Sequence, residues 1–314
     1  TGPWVALSDD DVFSMLRGQT DSASVRWKDE TISLGLKYAI RALGRFHGVR
    51  VHQAHTFLLA SLESDEAETR IAALEVLPEV AVLKSDELFD WLSVMLDDPD
   101  VNVRKAASRC LTLTSPIFPS GVSSILSNEL RSPVRYRMDA AWAGLSGLCD
   151  TWPEVVVDHV DSLLLEEDMQ LRKKATALLK KIVNKGDSAV WDLISWSLND
   201  AEVEVRRVAA KNLPALARKE SRMATLFAER ALADSDPDVR MSAIKAIQVL
   251  DTDNGRARDL VVRGTTSKDL KVRSACVELL PRLFGEEVLR VMAEELLATE
   301  TDEKLIASLK EMVF

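Results

Sequence analysis

Glycine, proline and cysteine are scarce in this 314-residue chain, and it has no long apolar run. Twelve glycines and ten prolines leave few positions for the tight turns that a protein of many short strands requires. The longest stretch without a charged residue, residues 110–128, contains two prolines, so we expect no membrane-spanning helix and no membrane partner. Because helix formers such as Leu, Ala, Glu, Arg and Lys are abundant, the composition favours an all-α fold.

Two further scarcities limit the possible function. The three cysteines, Cys110, Cys149 and Cys276, are too few and too widely spaced for a disulfide framework or a zinc-ligand pair. They are typical of a reducing compartment, and we expect a cytoplasmic protein. An excess of positive charge is also missing, since 40 Lys+Arg against 50 Asp+Glu give a net charge of −10. That balance argues against a generally basic nucleic-acid coat or a polybasic membrane anchor.

The chain does contain a repeat of about 34 residues, marked by an arginine. A small residue stands three positions after each of these arginines, and at six of the seven an apolar residue stands seven positions after, with Gly144 as the exception. These positions share one helix face and predict a buried stripe. An acid four positions before the arginine, replaced once by Pro133, predicts a helix start. The arginines are separated by 33 to 35 residues and are Arg70, Arg104, Arg137, Arg172, Arg206, Arg240 and Arg273.

A second amphipathic segment precedes each acid, so each repeat reads as a helix, a short acidic turn and a second helix. One such hairpin cannot bury its apolar face alone, and the hairpins must therefore stack. We predict a single α-solenoid with seven repeats over residues 51–284. Residues 1–50 would form an N-terminal cap, with a helix from Ser8 to Arg17 and a decayed repeat from Asp29 to Phe46. Residues 285–314 would form a capping hairpin.

The turns at residues 97–104 and 234–240, with sequences DDPDVNVR and DSDPDVR, resemble those of HEAT and HEAT-like repeats, particularly the phycobilisome-lyase type. The resemblance implies a ladder of bonds between turn acids and helix arginines of adjacent repeats. It does not fix a function, because scaffolds, transport adaptors, chromophore lyases and a few enzymes share the repeat. The acids that match the ladder positions are Asp100, Asp168, Glu202, Asp236 and Asp269.

Basic residues collect on the face of the second helices opposite the buried stripe. In HEAT-type solenoids these helices line the concave surface. Eight cations stand at these positions, against two acids, Glu75 and Glu278. The cations serve either solubility or the binding of an anionic ligand, and Trp142 among them is either a binding hot spot or a core residue. The predicted partner-binding residues are Lys105, Arg109, Trp142, Lys173, Lys180, Arg207, Lys211 and Lys245.

The sequence predicts a non-catalytic protein-interaction scaffold whose concave face binds an acidic or phosphorylated segment. The alternative is a nucleic-acid-binding protein, because Asp139 near Trp142 resembles the residue pair of HEAT-like alkylpurine DNA glycosylases. A chromophore lyase is a third class that rests on the repeat type alone. No phosphate-binding glycine loop or nucleophile elbow is present, and the histidines at positions 47, 52, 55 and 159 do not form a metal motif. We therefore expect no enzyme, metal or cofactor.

Overall fold

The computed structural model describes residues 2–48, 50–80, 86–185, 187–250 and 254–313. The protein is 73% helical, and stacked helix pairs confirm the prediction of an all-α, solenoid-type repeat fold. The chain forms two compact units, Thr1–Val156 and Val157–Phe314, which are described separately below. The organisation as one domain, with boundaries after residues 50 and 284, stays a prediction.

The first unit begins with short elements before the repeats start. Ser8 caps α1 through a capping box, in which its Oγ accepts from the Asp11 amide at 3.1 Å. This confirms the helix predicted from Ser8. In chain order the elements are a 3-10 helix (Pro3–Ala6), α1 (Asp9–Leu16), β1 (Ser22–Trp27), β2 (Glu30–Gly35), α2 (Leu36–Arg41) and a second 3-10 helix (Ala42–Arg45).

The decayed repeat predicted from Asp29 to Phe46 is wrong for its first residues, which form the turn and second strand of a β-hairpin. Strands β1 and β2 pair antiparallel, with Trp27 opposite Glu30. Lys28 and Asp29 turn the chain at φ values of 48° and 67°, as a two-residue hairpin turn requires. Ala23, Val25 and Trp27 of β1 alternate with exposed residues, and Val25 and Leu34 are the buried residue of each strand, so the apolar period is two and not the 3.6 of a helix.

Helix pairs follow in the first unit, and their small residues lie at the contacts between repeats. Helix α4 packs against α6, and α6 against α8. Ala73, Ala107 and Ala140 are buried on these helices, which confirms the predicted stripe. The helices are α3 (Arg50–Leu62), α4 (Ala67–Val80), α5 (Asp86–Met95), α6 (Val101–Thr114), α7 (Pro119–Glu129) and α8 (Arg135–Leu148), followed by α9 (Pro153–Leu164), in which the division between the units falls.

Gly144 breaks the apolar pattern for a steric reason. A Cβ atom at this position of α8 would lie 3.1 Å from Leu126 Cδ2 and 3.2 Å from Leu111 Cγ. Glycine therefore allows α8 to approach both neighbours closely, and the leucine of the other repeats would not fit.

The second unit continues the same arrangement. The small residues three positions after its repeat arginines are buried, as in the first unit; they are Ala175, Ala209, Ala243 and Cys276. The long second helix of one repeat is divided into α12 and α13, since Pro214 has no N–H to continue the helical hydrogen bonds. The helices are α10 (Met169–Ile182), α11 (Ser188–Ser197), α12 (Val203–Ala210), α13 (Leu213–Lys219), α14 (Ser221–Leu232), α15 (Pro237–Ile247), α16 (Gly255–Gly264), α17 (Leu270–Leu283), α18 (Glu286–Leu297) and α19 (Glu303–Val313).

The last two helices form the hairpin expected at the end of the chain. Helix α18 packs against α19, and α19 packs on α17. Ala293, Leu305 and Leu309 form a core with Val277.

Candidate functional site

A ladder of arginines and acids connects successive turns, as the repeat resemblance implies. Arg206 is representative: its Nε and Nη2 donate to the two carboxylate oxygens of Asp234 at 2.8 and 3.3 Å. Its Nη1 donates to the carbonyl oxygens of Asp200 and Ala201, each at 2.9 Å. Only 16% of the Arg206 side chain and 10% of the Asp234 side chain are exposed. The ladder is therefore a shielded structural element and not a ligand site.

The acid predicted for the ladder is the wrong one in most repeats. Asp98, Asp200 and Asp234 pair with arginines 28 residues earlier in the chain, and each stands six residues before the next repeat arginine. Of the five predicted acids, all within the described residues, Asp269 pairs with the repeat arginine Arg240, and Asp236 pairs with Arg207, the residue after the repeat arginine Arg206. The other three stand where a helix begins. The carboxylates of Asp100 and Asp168 accept from the amides of Asn102 and Gln170 at 2.6 and 2.7 Å, whereas Glu202 makes no side-chain cap hydrogen bond.

The ladder is interrupted at Arg104. Its Nη1 donates to the carbonyl oxygens of Asp98 and Pro99, as the corresponding atom of Arg206 does in its own repeat. Its guanidinium carbon, however, lies 4.8 Å from the centre of the Tyr136 ring, and within the described residues no carboxylate pairs with it. The Tyr136 hydroxyl donates to Asp97 at 2.5 Å, and this hydrogen bond raises the pKa of Tyr136.

Two of the predicted partner-binding cations are neutralised by acids of the following repeat. Lys173 Nζ donates to Glu204 at 2.7 Å. Arg207 forms a two-point pair with Asp236, with N–O distances of 3.0 and 2.6 Å, and this pairing lowers the pKa of Asp236. We expect neither side chain to attract a ligand, because its charge is already compensated.

Five of the predicted cations are exposed to solvent. No carboxylate of the residues that the structure describes forms an ion pair with any of them. Lys105 and Arg109 lie one turn apart on α6 in the first unit, whereas the others are distributed over α10, α12–α13 and α15 in the second. The five are Lys105, Arg109, Lys180, Lys211 and Lys245.

The aromatic part of the predicted face lies deeper than the cations. Trp142 is half-buried on α8, and Met138 and Met241 are half-buried as well. Leu145, which has the same outward register, is fully buried, so the outward assignment is wrong there. The irregular packing around Gly144 explains the difference, because it draws this part of α8 inward. A hot-spot role for Trp142 stays a prediction.

Lys105 and Arg109 line a cleft of about 540 Å³ in the first unit. Helix α6 also contributes Leu113 to its lining. Helix α4 forms a second wall, and Trp4 and Arg41 of the N-terminal cap form a third. Trp4 and Arg41 come from the region where the sequence shows no clear repeat, and therefore no periodic signal indicated them.

The charges in this cleft are unequal. Three cations, Arg41, Lys105 and Arg109, and two carboxylates, Glu75 and Glu79, line it, which gives a net charge of +1. Arg41 is compensated, since its Nε donates to Glu75 at 2.6 Å. Lys105 and Arg109 therefore remain as the cations available to a ligand.

The cleft offers charged and apolar side chains for recognition. Cys110 is its one thiol or hydroxyl side chain, and burial raises the pKa of that thiol to about 12. Among the described residues, no three His, Cys, Asp or Glu side chains come together as a metal site. Asp139, the residue singled out for glycosylase chemistry, is exposed on α8 with Arg135 3.7 Å away and does not line the cleft. No helix in the described ranges is long and apolar enough to cross a bilayer.

The chain matches no protein-family model and no curated protein. Among solved structures it is similar to Kap121p, with a TM-score of 0.58 at 13% identity over 99% of this chain and 38% of that one. The karyopherin Kap121p bound to the extreme C-terminus of the protein phosphatase Cdc14p gives 0.56 at 11% identity, over 88% and 35%. The Pds5–Scc1 complex gives 0.55 at 13% identity, over 89% and 55%.

The chain thus spans between about a third and just over half of the length of these structures. Identities this low show the fold alone. With the helix pairs described above, they confirm a HEAT-like helical-repeat fold; the phycobilisome-lyase type stays a prediction.

Proposed function

We propose that this protein is a non-catalytic interaction scaffold that binds an acidic segment of another protein in the cleft of its first unit. The observation that carries the proposal is the position of Lys105 and Arg109, two exposed cations one helical turn apart in a cleft. Exposed cations without internal partners attract acidic ligands, whereas paired cations such as Lys173 do not. Two of the similar structures are complexes with a protein partner, Kap121p with the C-terminus of Cdc14p and Pds5 with Scc1, which is consistent with a scaffold.

A phosphorylated segment would bind the same two cations more strongly than a carboxylate does, because a phosphate group carries more negative charge. Lys180, Lys211 and Lys245 of the second unit stay predicted partner-binding residues. Nucleic-acid binding has less support, because Lys173 and Arg207 are engaged by acids and the chain carries a net charge of −10, whereas tracking a phosphate backbone requires many free cations.

The test compares two charge-reversed variants of equal net charge. Lys105→Glu/Arg109→Glu changes the cleft, and Lys28→Glu/Arg135→Glu changes exposed sites outside it in the same unit. The probe is a fluorescein-labelled hexaglutamate peptide, followed by fluorescence anisotropy. We expect the cleft variant to lose at least about tenfold in affinity, since two exposed ion pairs of about 0.5–1 kcal/mol each become repulsive. The control variant should lose less than about twofold.

Two results would contradict the proposal. One is a cleft variant that binds the peptide as well as the wild-type protein does. The other is tighter binding of a labelled 20-base-pair DNA duplex than of the peptide, with an affinity that falls steeply with salt, because that behaviour indicates nucleic-acid binding.

A further inference from the structure

The cleft has an apolar component that binding to acids alone does not use. Leu74, Val76 and Cys110 form buried parts of its lining, each no more than 3% exposed. Leu113 on α6 lines the same cleft with 48% of its surface exposed. An exposed leucine beside a concave site contributes little to folding but is available to a ligand.

The three ligand-facing groups of α6 follow one line. Lys105, Arg109 and Leu113 are spaced by four residues, so they lie on nearly the same helix face and rise about 6 Å per step. Alternate residues of an extended segment point the same way and are separated by about 6.4–6.8 Å. An extended partner laid along α6 therefore presents residues i, i+2 and i+4 to these three side chains.

The wall that carries Trp4 is held in place before any ligand binds. Arg45 donates from Nη1 to the Trp4 carbonyl oxygen at 3.3 Å and from Nη2 to Asp9 at 2.9 Å. The Arg41 guanidinium lies 5.9 Å from the Trp4 ring centre and is anchored by Glu75. The indole is thus a fixed apolar surface, which lowers the entropic cost of binding an apolar side chain against it.

The acids of the cleft indicate that a purely acidic ligand is not the best one. Glu75 and Glu79 line it together with the cations. Glu79 lies against Gly44, where its carboxylate occupies the space that a side chain at position 44 would need. Glu75 is paired with Arg41, so the charge that a ligand with carboxylates along its whole length would meet is that of Glu79, and a ligand with an apolar side chain at one end carries less negative charge to be repelled by it.

We propose that the partner carries a mixed motif of the form acid–x–acid–x–apolar, read in either chain direction, with the acids on Lys105 and Arg109 and the apolar side chain beside Leu113 and Trp4. This inference rests on the proposed function and specifies the ligand of the same site. The acids set orientation and selectivity, and burial of the apolar side chain adds affinity.

The test uses two fluorescein-labelled peptides, Gly-Glu-Ser-Glu-Ser-Leu-Gly and the same sequence with Ser in place of Leu. Leu113→Ser removes the apolar group of α6. Val94→Ser is the matched control, because Val94 is 54% exposed on α5 of the same unit and does not line the cleft. We expect the leucine peptide to bind the wild-type protein and Val94→Ser about fivefold to tenfold more tightly than the serine peptide. This preference should fall below about twofold in Leu113→Ser.

The outcomes separate this inference from the proposed function. Equal affinity of the two peptides, with both lost in Lys105→Glu/Arg109→Glu, overturns the mixed motif and leaves the acidic-segment scaffold standing. A leucine preference of more than about twofold that survives in Leu113→Ser also overturns the motif. Binding that does not respond to the charge reversal, or no binding of either peptide at millimolar concentration, overturns both proposals.

Discussion

Replacing Arg206 by alanine removes one complete step of the ladder. The change deletes both bonds to Asp234 and both bonds to the carbonyl oxygens of the preceding turn. Asp234 keeps one bond, from the Asp236 amide at 2.8 Å, and is left as a carboxylate with only 10% of its side chain exposed. A shielded charge that loses its partner is the costly case, since neither water nor a cation then compensates it.

The expected loss follows from that geometry. Breaking a buried ion pair from one side costs about 3–5 kcal/mol, and the partial exposure of Arg206 and the remaining amide bond reduce this to about 2–4 kcal/mol. Lys211→Ala should cost under about 0.5 kcal/mol, because Lys211 is exposed and surface changes of this kind are nearly neutral. Arg104→Ala should fall between them, at about 1 kcal/mol, because it loses carbonyl bonds and an aromatic contact but leaves no carboxylate unpaired.

Urea unfolding followed by circular dichroism at 222 nm gives the three midpoints under one condition. Because repeat proteins couple mainly through nearest neighbours, Arg206→Ala should also divide unfolding into two transitions. Adding Asp234→Ala to Arg206→Ala should recover part of the loss, since it removes the unpaired charge. Equal midpoints for Arg206→Ala and Lys211→Ala would refute this reasoning and show that Arg206 acts as an ordinary surface charge.

Three further predictions concern other parts of the chain. The ion pair with Arg273 lowers the pKa of Glu300 from 4.5 to about 2. Its contribution to stability is therefore present above about pH 4.5 and disappears as the pH falls towards 2. Glu300→Gln should be less stable than the wild-type protein at pH 7 and equal to it at pH 2, and a difference in urea midpoints that persists at pH 2 would contradict this. Gly144→Leu restores the repeat pattern, but the new side chain would collide with Leu126 and Leu111, so it should lower the free energy of unfolding by about 2 kcal/mol. A thermal midpoint at or above the wild-type value would disprove the collision. All three cysteines are buried, so a thiol reagent such as DTNB should label them in guanidinium and not in the native protein, and labelling of the native protein within seconds would show that they are accessible.

Much of the repeat fold follows from the sequence alone. The 34-residue period of Arg70 to Arg273 and the small residues three positions later predict stacked helix pairs, because a buried stripe at that spacing has no other partner. The β-hairpin before the repeats was not predicted, since an isolated pair of strands leaves only a short period-two signal. Val25 and Leu34 carry most of that signal, and two residues are too few to distinguish a strand from a weak helix.

The ladder shows where sequence reasoning ends. The pattern identifies the arginines, but in several turns two acids compete for one of them, as Asp98 and Asp100 do for Arg70. The acid nearer the helix is taken by its own backbone N–H groups, which leaves the earlier one for the arginine. Which acid pairs with the arginine depends on which carboxylate lies near the arginine of the preceding turn, and on the free energy lost when the first N–H groups of a helix have no acceptor. Neither quantity can be read from the sequence pattern.

The candidate site was predictable only in part, for the same reason. Helix register identifies Lys105 and Arg109 as outward cations, but it assigns the same status to Lys173 and Arg207. Acids about 30 residues later neutralise the second pair, and periodicity within one repeat does not show a contact between repeats. Trp4 and Arg41 were missed because the cap folds back onto the first repeats through contacts distant in sequence.

A charge swap tests most directly the claim that Lys105 and Arg109 bind an acidic segment. The measurement compares two labelled peptides, Gly-Glu-Ser-Glu-Ser-Leu-Gly and Gly-Lys-Ser-Lys-Ser-Leu-Gly, on the wild-type protein and on Lys105→Glu/Arg109→Glu by fluorescence anisotropy. We predict that the wild-type protein prefers the glutamate peptide and that the variant prefers the lysine peptide, because the sign of the cleft alone has changed. A variant that keeps the wild-type preference would contradict the claim that this cleft is where the acidic segment binds.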